Sequence, residues 1–232
     1  MSVDPYLGYT PVIRLEEKAR ARFVMRTYLH LLGAFVAFVL LEVMFFTTGL
    51  AAPMAKAMLS FSWLLVLGLF IVFSWIASRF AHNAESLGVQ YIGLAAYVIA
   101  EAVIFVPLLY IAETFAPGVL QSSVALTLVG FAGLTVIAFV TRTDFSFLRG
   151  LLYWGGVVAV ILILGGLLFQ WKLGTYFAVG MIALAGASIL YDTSNVLHHF
   201  PEDRYVGAAL ELFASVALLL WYIIQFQLLS RD

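Results

Sequence analysis

Apolar and polar positions separate along this chain in blocks of whole segments. A helix that crosses the hydrocarbon core of a bilayer needs about 20 residues. The runs of that kind predict seven spans, at residues 23–46, 58–78, 88–111, 119–140, 150–169, 175–191 and 206–229. The sixth is short by that measure and is expected to tilt little or to run further than its apolar stretch. Between the runs lie short turn or charge signals: Thr47-Thr48-Gly49, Ala116-Pro117-Gly118, and the stretches 78–87, 141–149, 170–174 and 192–205. None is long enough for a soluble domain. The chain therefore divides into a polar N-terminal tail, residues 1–22, and a seven-helix transmembrane domain, residues 23–232. The tail is charged and does not read as a cleavable signal peptide.

Composition agrees with that reading. Hydrophobic residues make up 64% of the 232 and charged residues 11%, against roughly 25% charged in an average soluble domain. The net charge of −1 gives no electrostatic case for nucleic acid. With no cysteine, disulfides, thiolate metal sites and a cysteine nucleophile are excluded.

Lysine and arginine set the expected orientation. With the N-terminus inside, the inner segments hold Arg14, Lys18, Arg20, Arg22, Arg26, Arg79, Arg142, Arg149 and Arg204, and the outer ones Lys56, Lys172 and Arg231. Nine against three predicts a cytoplasmic N-terminus and a C-terminus outside. Small residues supply close-packing faces, Ala183, Ala185, Gly186 and Ala187 in the sixth span and Gly155, Gly156, Gly165 and Gly166 in the fifth. Pro107 removes a backbone donor from the third span and predicts a kink. Trp63, Trp75, Trp171, Tyr205, Trp221 and Tyr222 read as packing residues and interface anchors.

Four carboxylates lie at membrane depth: Glu42, Glu101, Asp192 closing the sixth span, and Glu211 early in the seventh. Ionisable groups there are costly and default to a functional reading. Glu42 has the plainer alternative of reaching toward water, and Glu101 that of an acid bonded to a neighbouring helix. Asp192 and Glu211 sit at matching ends of consecutive helices, where two carboxylates do not both ionise easily and together can hold a proton or a cation.

Other chemistries fit less well. The last span has no lysine for a retinal. His30, His82, His198 and His199 do not form a convincing zinc set. Tyr191-Asp192 resembles one motif of intramembrane aspartyl proteases, but the chain has no Gly-x-Gly-Asp partner. No Gly-x-Ser-x-Gly elbow or phosphate-cradling loop is present. The protein is expected not to be an enzyme and to need no cofactor.

Four stretches resemble the Bax inhibitor family: Thr141-Arg142-Thr143-Asp144-Phe145-Ser146-Phe147-Leu148; Ile189-Leu190-Tyr191-Asp192-Thr193-Ser194-Asn195-Val196-Leu197-His198-His199; Phe23-Val24-Met25-Arg26-Thr27-Tyr28-Leu29-His30; and the run 205–232 with Ala208-Ala209-Leu210 and Ser230-Arg231-Asp232. The Thr-Ser-Asn stretch and the Ser-Arg-Asp ending look nearest to the bacterial branch that modulates the membrane-anchored protease FtsH.

The resemblance implies an all-α membrane protein of seven transmembrane helices with the last helix central. It also implies a slow, pH-dependent calcium or cation leak, gated by two aspartates at the cytoplasmic ends of the last two helices and latched by an arginine near the end of the second. Asp192 matches the first aspartate, and Arg79 matches the latch by position. Aligning Leu212-Phe213-Ala214-Ser215 on the family's Leu-Tyr-x-Asp puts Ser215 at the second, a serine that the protease-modulator branch shares. Glu211 lies one turn before Ser215 on the same helix side, so Asp192 and Glu211 are expected to replace the aspartate pair, with Arg79 or Arg204 as counter-charge. Two functions follow from different classes: a leak for calcium or protons, or a non-enzymatic partner of a membrane-anchored AAA protease with the N-terminal tail as its handle.

Overall fold

A computed structural model describes residues 9–82, 86–170 and 173–231, with the side chains of Trp63 and Leu64 left out. Trp171, Lys172 and Asp232 lie outside the described residues, as does the side chain of Trp63. The described residues form eight α-helices: α1 Glu17–Thr47, α2 Ala51–Ser60, α3 Trp63–Ala81, α4 Leu87–Phe115, α5 Val119–Thr141, α6 Leu148–Phe169, α7 Thr175–His198 and α8 Tyr205–Leu229. Six of them are long and apolar enough to cross a membrane singly. A seventh is counted if α2 and α3, a pair bent by 111°, are taken together as one broken span. The protein is an all-α, multi-pass membrane protein, and its apolar helices meet the lipid bilayer directly.

Two boundaries differ from the sequence expectation. The second span was expected over 58–78, but the chain folds first into the ten-residue α2 and then turns at Phe61 and Ser62 into α3. Pro53 in the first turn of α2 costs no helical hydrogen bond there, and Gly49 at φ +76° makes the turn out of α1. The apolar stretch of the sixth span ends at Tyr191, and the expected run beyond it is long: α7 continues to His198, because Asp192, Thr193 and Ser194 are buried against protein and not left to a loop. Helix α4 runs unbroken through Pro107.

Helix α8 is the centre of the bundle, packed against α7, α1, α5, α4 and α3. Small residues allow this: Gly207, Ala208, Ala209, Ser215 and Ala217 are all buried, so neighbouring backbones approach closely. Helix α6 lies outside, against α7 and α3. An ideal Cβ on Gly155 would meet Leu184 Cδ1 at 2.7 Å, so that glycine serves the α6–α7 contact, whereas one on Gly156 would meet nothing within 4 Å.

Ring and hydrogen-bond contacts fix which helix ends lie together. His30 meets Tyr91 and Tyr205, Tyr28 meets Phe139, and His82 meets Glu211. The starts of α1, α4 and α8 therefore share one end with the ends of α3, α5 and α7; we call this the basal end. At the far end Ser122 bonds Gln227, and Arg231 bonds the Pro117 carbonyl. Residues ahead of α1 close over the basal end. Val12 N–H donates to the Phe200 carbonyl at 2.9 Å, Tyr9 Oη donates to the His199 carbonyl, and Val12 and Leu15 are buried. The expected tail and membrane domain thus meet.

Candidate functional site

Two close backbone contacts build the site. An ideal Cβ on Gly93 of α4 would lie 2.6 Å from the Ala77 carbonyl oxygen, and one on Gly207 of α8 would lie 3.0 Å from that of Ala81. No larger residue fits at Gly93 without moving the α3 backbone. These two glycines draw the end of α3 in, and His82, the residue capping it, reaches Glu211 one turn beyond Gly207.

The imidazole of His82 is held at both nitrogens. Nδ1 lies 2.8 Å from the Ser78 carbonyl oxygen and Nε2 3.0 Å from Glu211 Oε1. Both partners accept, so only the doubly protonated ring satisfies both contacts. Burial opposes that charge, but the Glu211 carboxylate, by hydrogen bond and by charge, together with the Ser78 carbonyl, outweighs burial and the opposing Arg204 and holds His82 above its ordinary pKa of 6.5. Phe200 stacks on His82 and on Phe23, and its carbonyl is the one that Val12 grips. The N-terminal strap is therefore linked to the site through one ring.

Asp192 is 8% exposed and accepts a 2.5 Å hydrogen bond from Ser215 Oγ. Its charge also acts on that of Glu211. The structure thus places Asp192, Ser215 and Glu211 in one neighbourhood. Each carboxylate has its own direct partner, a hydroxyl for Asp192 and an imidazole for Glu211. Arg79 stands apart, exposed, with its guanidinium 5.1 Å from the Trp75 ring centre. Arg204 is the nearer cation; its charge acts on His82, and its Nε is buried with no hydrogen-bond partner among the described residues.

From Ser215 a cavity of about 730 Å³ extends toward the far end, between α3, α4, α6, α7 and α8. Most of its wall is apolar. Its polar groups include Ser215, Tyr97, Glu101, Tyr222 and Gln225. Glu101 and Tyr97, one turn earlier on α4, both line the cavity, so Glu101 faces it and not lipid. Glu42 differs: it is 7% exposed and neither carboxylate oxygen has a hydrogen-bond partner among the described residues, so it does not reach water.

A second set of contacts ties the α5–α6 loop to α7. Ser194 Oγ accepts from Phe145 N–H at 2.9 Å and donates to the Thr143 carbonyl. His199 Nε2 lies 3.0 Å from Asp144 Oδ2. Burial raises the Asp144 carboxyl, but the Ser146 amide and His199 prevail and hold it below the usual range. No group of three or more metal-ligating side chains is found among the described residues; His30 pairs with Tyr91, and His198 Nδ1 bonds the Ser194 carbonyl.

Sequence reasoning missed His82, Tyr97 and Gln225. The i, i+4 spacing of Tyr97 and Glu101 was a usable signal; the pairing of His82 with Glu211, 129 residues apart, had none.

A central helix whose serine hydroxyl binds a buried aspartate of its neighbour, walled by five others and opening on a largely apolar cavity, defines a multi-pass bundle built around a buried carboxylate. The sequence profile of the family described as "Inhibitor of apoptosis-promoting Bax1" matches residues 20–232, and the chain belongs to that family. It is similar to Bax inhibitor 1 of Schizosaccharomyces pombe, at 25% identity over 242 aligned positions that cover 97% of this chain and 82% of that one. It is also 34% identical over 99 residues to an uncharacterized protein of Pseudomonas aeruginosa; that match covers 42% of this chain and 44% of the relative.

Proposed function

We propose that the protein is a pH-sensitive leak for calcium or protons, without enzymatic activity, in which Asp192, Ser215, Glu211 and His82 form the gate and the Glu101 cavity the path. The observation that carries this reading is the Asp192–Ser215 hydrogen bond standing at the basal end of the cavity. With His82 protonated, its bond to Glu211 holds the end of α3 against α8, and Ser215 holds α7 against α8. As pH rises and His82 loses its proton, Glu211 loses its counter-charge and its repulsion of Asp192 goes uncompensated. Three helix ends then have reason to part. Flux should rise with pH. The nine-to-three split of basic residues supports a cytoplasmic basal end, which reporter fusions after Gly49, Gly174 and Pro201 would test: outside, outside and inside.

The experiment is calcium entry into liposomes carrying the purified full chain, from about pH 6 to about pH 8, the interval in which histidine titrates. A rising flux supports the leak, and its absence at every pH removes it. One observation favours a second reading, restraint of a membrane-anchored AAA protease such as FtsH: Ser215 stands where the leak pattern carries an aspartate. Co-purification of that protease with a chain inactive in liposomes would favour this alternative.

A further inference from the structure

Helix α1 carries a face unrelated to the carboxylate site. Arg22, Arg26, His30, Gly33, Ala37 and Leu41 follow one another at spacings of three or four, so they form one stripe. Its upper part is the floor of a groove of about 580 Å³ between α1 and α4, whose other wall includes Leu94, Ala95 and Val98. The groove runs from His30 to Leu41, eleven residues and so about 16 Å of helix. That is close to half of a hydrocarbon core of about 30 Å. Its width comes from the small residues: an ideal Cβ on Gly33 would meet nothing within 4 Å.

The basal mouth is polar and cationic. Tyr91 Oη donates to His30 Nε2 at 2.7 Å, since His30 Nδ1–H is committed to the Arg26 carbonyl. The Arg26 guanidinium lies 5.4 Å from the Tyr205 ring centre, and Arg22 is exposed one turn below. Among the described residues neither arginine is paired with a carboxylate. At 31 residues α1 is about 46 Å long, so its first turns stand in the headgroup layer. Leu29, Leu32, Val36 and Ile92 are exposed apolar residues of the same two helices. Apolar depth of one leaflet beneath two cations matches a single kind of occupant.

We propose that the α1–α4 groove binds one anionic glycerophospholipid, with an acyl chain along Gly33 and Ala37 and the phosphate at Arg22 and Arg26. The test is native mass spectrometry of the full chain in detergent, titrated with phosphatidylglycerol, with phosphatidylcholine and with inorganic phosphate. One phosphatidylglycerol should be retained, with a preference over phosphatidylcholine of about tenfold or more, the scale set by two arginines at an anionic headgroup. Gly33→Leu fills the groove and should cut retention of both lipids. The Arg22→Gln, Arg26→Gln double variant, on the helix surface, should keep acyl binding and lose the preference. Thermal unfolding of each variant separates lost binding from lost folding. Equal retention of the two lipids, undiminished retention by folded Gly33→Leu, or displacement of the lipid by inorganic phosphate would overturn the proposal. So would a dimer that Gly33→Leu splits, which would assign the groove to a second copy of the chain.

Discussion

Asp192 and Glu42 are buried almost equally, at 8% and 7% exposed, and sequence depth marks both as costly charges. Their surroundings are opposite. Asp192 sits in the basal half, bonded to Ser215 and within the field of a Glu211–His82 pair. Glu42 sits in the far half with both oxygens bare. The difference separates a carboxylate that the fold is built to hold from one that it merely encloses. Burial locates a candidate; satisfaction of its hydrogen bonds tells which candidate is a site.

The strongest way to break the comparison is to remove the backbone contact that assembles the basal half. Gly93→Ala puts a methyl against the Ala77 carbonyl and should cost at least about 3 kcal/mol, at the upper end of overpacking effects. A thermal melt close to that of the unaltered protein would show that α3 can retreat without penalty.

Next comes a paired substitution with opposite signs. Asp192→Leu strands the Ser215 hydroxyl and should destabilise by about 1–3 kcal/mol. Glu42→Leu removes two unpartnered oxygens and should stabilise by a similar amount, about 1–3 kcal/mol. Denaturation of both variants in one detergent decides it, and two changes of the same sign would erase the distinction drawn here.

Smaller still is the pH dependence that His82 contributes. Its pKa is raised in the folded state. Its stabilisation is therefore fully present below the unfolded value of about 6.5 and is lost as pH rises through the higher folded value. His82→Phe should flatten the fall in melting temperature across that window; an unchanged slope would place the titration elsewhere. Asp144 runs the other way. Its lowered pKa gives stability present above the unfolded value of about 3.9 and lost as pH falls through the folded one. The pair is half exposed, so Asp144→Asn should cost only about 0.2–1 kcal/mol near neutral pH, measured by the same melts.

Long apolar runs made the spans legible, and the match of Asp192 and Ser215 to a family pattern, with Glu211 one turn before Ser215, named three residues of the candidate site. The rest was hidden for physical reasons. Helix α2, at ten residues, is too short to register as a span. The last two turns of α7 open with Asp192, Thr193, Ser194 and Asn195, residue types that favour loops when solvated but are helical here, the first three buried in the bundle. His82 sits on a connection, and nothing in its neighbours foretells that Gly93 and Gly207 will pull it onto Glu211. Arg79 was matched by position alone, and position did not fix its direction: it lies over Trp75.

The central claim is that Asp192 and Glu211 act as one gate. It is tested most directly by calcium flux against pH in liposomes for Asp192→Asn, Glu211→Gln and the double variant. Coupled groups titrate together, so each single substitution should shift the same transition and the double should add little to either. Two independent shifts that sum in the double variant, or a transition untouched by either, would contradict it.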